Sequence, residues 1–103
     1  MARMIAALSI LLLGMIPVET MSSELLNVGA LNVGYIEAAI DDCPGFKMRN
    51  PRAFFNLSME VIAEPRLKAA AARGVDRFRS EASLDGLTKA CREAKKEFPE
   101  WIR

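Results

Sequence analysis

The sequence predicts a small all-α fold, a bundle of about four short helices that follows an N-terminal signal peptide and is stapled by one disulfide. Three observations predict it. Apolar residues recur at helical spacing through most of the chain, and proline or glycine marks each joint. An apolar run follows Arg3 near the amino terminus. Two cysteines stand far apart in a chain that has no histidine.

The chain has 103 residues, a single-domain length. "MARMIAALSILLLGMIPV" has the secretory layout, with Arg3 followed by the run from Met4 to Val18, closed by Glu19. That run falls short of the roughly 20 residues a membrane-spanning helix needs, so cleavage is expected rather than anchoring. Two cleavage sites compete on the small-residue rule, after Ser22 and after Ala30. The expected organisation is therefore a signal peptide at 1–22, a flexible lead-in at 23–34 and a helical domain at 35–103. "LNVGALNVGY", Leu26 to Tyr35, says nearly the same thing twice, but its period of five matches neither 3.6 nor 2. Its two glycines point to linker and helix entry.

A first amphipathic helix is expected from about Leu31 to Asp42, with Leu31, Tyr35, Ile36, Ala39 and Ile40 on one face. "CPGF" stops it, since Pro44 cannot continue the ladder and Gly45 permits a tight turn. A second starts at Pro51, capped by Asn50, and presents Phe54, Leu57, Val61 and Ile62, widened by Phe55 and Met59. As the most apolar segment beyond the leader, it is expected at the centre of the core. Pro65 opens a third helix whose period (Leu67, Ala70, Ala71, Gly74, Val75, Phe78, Ala82) holds straight through Gly74. Small residues at 70, 71 and 74 would let a neighbouring helix come close. The last helix, capped by Ser83 and ended by Pro99, carries Leu84, Leu87, Cys91, Ala94 and Phe98. Trp101 and Ile102 are then free to fold back.

Cys43 ends the first helix, and Cys91 points inward by its spacing. In an exported protein both facts favour a Cys43–Cys91 disulfide. The absence of histidine removes the commonest general base and the usual metal ligand. Two distant cysteines are half a zinc site at best, so neither a metal nor a cofactor is expected. No phosphate loop, dinucleotide turn or nucleophile elbow occurs, so no catalytic residue is assigned and the protein is not expected to be an enzyme.

The charge balance, 14 Lys and Arg against 13 Asp and Glu, gives no reason to expect nucleic acid as a partner. Bases nevertheless concentrate between Lys47 and Arg79, and Arg66, Arg73 and Arg77 share roughly one face of the third helix, a candidate basic surface for a phosphate or an acidic partner. The layout of export signal, short helical domain and one long-loop disulfide resembles that of the small periplasmic acid-stress chaperones of the HdeA type, in architecture and cysteine separation only. The segment "CPGFKMRNPRAFF" does not follow that family's pattern, and no functional residue is carried over.

The functional expectation is a non-enzymatic periplasmic or secreted protein that binds a protein partner or acts as an accessory or chaperone-like factor. The alternative is a tethered accessory subunit, in contact with the membrane only if the apolar leader is retained.

Overall fold

A computed structural model describes residues 23–103; the signal peptide expected at 1–22 lies outside the described residues. The described residues form four helices, α1 (Ser23–Asp42), α2 (Pro51–Ile62), α3 (Pro65–Asp85) and α4 (Leu87–Glu97). Among the described residues there is no strand, only an isolated antiparallel bridge between Met48 and Ile102. The all-α class and the single disulfide follow the sequence. Three local expectations do not.

The first concerns the lead-in. Residues 23–34 are helical, so α1 runs straight through the repeated motif. The reason is tertiary. Leu31 lies against Gly74, Tyr35 against Phe78, and further along both helices Asp42 pairs with Arg79. The paired positions advance together, so α1 and α3 run in the same direction, with α2 as the return between them. The approach is close enough that a Cβ on Gly34 would run into the carbonyl of Ala71, and one on Gly74 into the carbonyl of Leu31. Burial of Ala30, Val33, Tyr35, Ile36, Ala38 and Ala39 along α1 outweighs the cost of glycine inside a helix, about 1 kcal/mol per site. Cleavage after Ala30 would cut α1 beside a buried residue, whereas cleavage after Ser22 leaves it whole.

The second concerns the joint between α3 and α4. Helix α3 continues to Asp85, and Gly86 makes the turn with φ 96°, a conformation glycine adopts without a Cβ penalty. Ser83 is therefore interior to α3 rather than a cap, and Leu84 is 84% exposed on its last turn. Leu87 at the start of α4 is exposed as well, at 40%, and the remainder of the expected stripe holds, with Cys91, Ala94 and Phe98 buried. At the other end of α3, Pro65 sits in the first turn and Glu64 accepts the Arg66 N–H at 2.9 Å.

The core joins these elements around its largest wholly enclosed side chains, Tyr35, Phe78 and Ile102. Tyr35 meets Phe78 edge-on at 5.4 Å and Phe98 at 5.7 Å. The chain after α4 does fold back. Ile102 is enclosed, and Trp101 stacks edge-on against Phe54 at 5.5 Å. Cys43 and Cys91 are bridged, with Cα atoms 5.7 Å apart, so α4 is covalently tied to the end of α1.

Candidate partner-binding surface

The third departure is functional. Helix α2 does not occupy the centre of the core. It lies on the outside of the α1–α3 pair and buries only Phe54 and Val61, seven residues apart and so on one face. Phe55, Met59 and Ile62 form a second stripe, four and three residues apart, that points away from the body with exposures of 62%, 47% and 54%. A helix touching its neighbours along one side can bury only one such stripe. The sequence pattern merged the two stripes into one wide face; the geometry separates them. Asn50 does not cap α2 through its side chain, because its amide donates to the Glu100 carbonyl at 3.3 Å and so holds the C-terminal segment beside the helix start.

The structure does not gather Arg66, Arg73 and Arg77 into one grip. Arg66 pairs with Glu64 at 3.5 Å. Arg73 lines a shallow cleft with Glu24, Asn27, Val28 and Leu31. Arg77 lies over the Tyr35 ring at 4.6 Å and pairs with Glu81 at 3.1 Å and Glu97 at 3.6 Å. Two of the three are thus engaged with carboxylates of their own fold.

Arg77 belongs to a polar knot that joins three helices. The Tyr35 hydroxyl donates to Glu81 Oε1 at 2.7 Å, so α1, α3 and α4 meet through Tyr35, Arg77, Glu81 and Glu97. Burial, the hydrogen bond to Glu81 and that carboxylate's charge push the Tyr35 phenol well above its ordinary value of 10.0, against the smaller opposing pull of Arg77. A proton held more tightly when folded than when unfolded stabilises the fold at pH below the unfolded value and is lost as the pH rises beyond it. Stability is therefore expected to fall above about pH 10. Tyr35 is the only tyrosine, so an absorbance titration reads it directly. The Tyr35→Phe variant should lose about 1–2 kcal/mol at neutral pH and much of that alkaline dependence. Ordinary phenol titration in the native protein would contradict the knot.

On the far side of α1, Glu37 accepts a 3.4 Å hydrogen bond from the Ser58 hydroxyl of α2. Crowding by the surrounding chain raises its carboxyl; the Ser58 bond acts the other way, and Asp41 adds to the rise. Among the described residues no group of three or more potential ligands could hold a metal ion, and no helix is long and apolar enough to cross a membrane. Comparison with known proteins finds no matching family model, no matching curated protein and no matching solved structure.

Proposed function

We propose that this is an exported, non-enzymatic helical domain, periplasmic or secreted, whose task is to bind a protein partner through the outward face of α2. The observation that carries the reading is the second stripe. Phe55, Met59 and Ile62 stand in solvent although the fold has a core they could have enlarged. Single exposed apolar residues need no explanation, but three aligned on one helix form a ready docking face. Export is supported by the leader after Arg3 and by the bridge between Cys43 and Cys91, which fits an oxidising compartment. The tethered alternative keeps the same docking face and differs only in retaining the leader.

The test is recovery of tagged protein from its native compartment, comparing the wild type with a Phe55→Ser/Met59→Ser/Ile62→Ser variant. The variant should keep its helical spectrum and lose no more than about 1 kcal/mol of stability, because none of the three is buried. Phe54→Ala, one residue away, should cost about 3 kcal/mol. Proteins that accompany the wild type should be lost from the triple variant, and equal recovery with both would refute the docking face. Mass spectrometry of the same material reads the amino terminus: a start near Ser23 supports release, and an intact Met1 supports the tether.

A further inference from the structure

A group of cations left without carboxylates gathers where the C-terminal segment pairs with the chain ahead of α2. Lys47 and Arg103 exchange both backbone hydrogen bonds, at 2.7 and 2.9 Å, and the Arg49 N–H donates to the Trp101 carbonyl at 2.8 Å. Ile102 is enclosed and Met48 packs on the core, so alternation turns Lys47, Arg49 and Arg103 outward. Directly opposed like charges disfavour such a pairing, so burial of Ile102 and packing of Met48 hold Lys47 against Arg103 at an electrostatic cost. Lys95 lies 5.9 Å over the Phe46 ring, next to Lys47. Arg49 and Arg52 line one cleft of about 460 Å³ with Asn50 and Asn56. All five cations are exposed. The ion pairs among the described residues go to Arg66, Arg77 and Arg79, and none goes to these five. Glu100 accepts from the Asn50 amide through its carbonyl, and its carboxylate makes no ion pair with any of the five.

We propose that Lys47, Arg49, Arg52, Lys95 and Arg103 form the contact surface for an acidic segment of the partner polypeptide. The inference rests on the partner reading above and adds the partner's chemistry. Charge complementarity identifies the occupant. Arg49 donates its Nε to the Pro99 carbonyl at 3.0 Å, which leaves its terminal amino pair, beside the fork of Arg52, as planar donors suited to carboxylates. The apolar stripe begins at Phe55, one turn beyond Arg52, and reaches Ile62, about 15 Å from Arg52 along the helix. A segment that presents carboxylates at one end and apolar side chains along the rest matches both parts. A nucleic acid backbone would leave the stripe uncovered, and a bilayer is separated from a polypeptide by the vesicle arm of the test below.

The probe is fluorescent poly-L-glutamate titrated against the full chain at low ionic strength and at about 0.15 M salt. The wild type should bind it, more weakly at the higher salt. Arg49→Glu/Arg52→Glu should weaken binding by about tenfold or more, whereas Lys68→Glu/Lys89→Glu, the same charge change elsewhere, should alter it less than about twofold. Helical spectra confirm that both variants fold. No binding by the wild type, or equal loss in the two variants, overturns the proposal. So does binding to phosphatidylglycerol vesicles with poly-L-glutamate ignored, which would assign the cations to a lipid surface. Recovery from the native compartment separates the two claims. If Arg49→Glu/Arg52→Glu keeps the partner that the stripe variant loses, the acidic segment falls and the docking face stands.

Discussion

Replacing Cys43 and Cys91 together by alanine is expected to lower the unfolding free energy by about 4 kcal/mol, with little change in the folded helices. The bridge closes a loop with a sequence separation of 48. In the chain-entropy account, a loop of that length removes roughly this much freedom from the unfolded chain. The loss is large because the fold is small, and domains of this size are stable by only about 5–15 kcal/mol in total. It also falls on a particular element. Helix α4 has 11 residues, and what holds it besides the bridge is the burial of Ala90, Ala94 and Phe98 and the salt link from Glu97 to Arg77. That link is exposed on both sides and contributes little. Urea unfolding with and without reductant measures the effect. A shift below about 1 kcal/mol would mean that the reduced chain stays compact or that packing alone secures α4.

Several features of this fold are legible from local chemistry, and the rest depend on contacts a linear reading does not contain. Pro44 with Gly45, Pro51 and Pro65 mark joints because a missing N–H and a fixed φ act on their immediate neighbours, and the structure places helix ends at each. The pairing of Cys43 with Cys91 was equally legible, since only two cysteines are present. Ser83 and Gly86 compete for the last joint. Serine caps well, but only glycine takes the φ of 96° that the turn adopts, and the choice depends on where α4 must cross. In α2, apolar residues occur on two faces, and composition cannot say which face meets α1 and α3. The cation group was hidden for a different reason. Lys47, Arg49 and Arg52 lie far in sequence from Lys95 and Arg103, and only the return of the C-terminal segment joins them. Arg66, Arg73 and Arg77 stand close in sequence on α3, yet the fold pairs two of the three with carboxylates.

The repeated motif yields the second large effect, and it is expected to have opposite signs in the two copies. A period of five turns a helix by about 140°, so the copies face different directions once the segment is helical. Val33 and Gly34 of the second copy are buried, Gly34 directly against α3, while Val28 and Gly29 of the first are exposed. A Cβ at Gly34 would meet the Ala71 carbonyl, a backbone atom that cannot step aside without moving α3, whereas one at Gly29 would meet nothing within 4 Å. Gly34→Ala should therefore cost about 3 kcal/mol or more by forcing the two helices apart. Gly29→Ala should gain up to about 1 kcal/mol from helix propensity alone. Gly74→Ala, which strikes the Leu31 carbonyl from the other side of the same seam, should resemble Gly34→Ala. Because all three substitutions add the same methyl group, intrinsic propensity predicts the same stabilising sign for each, and only the close approach of α1 to α3 reverses it. Thermal or urea unfolding of the three variants beside the wild type decides the matter; a stabilised Gly34→Ala protein would show that α1 does not lie against α3 at this crossing.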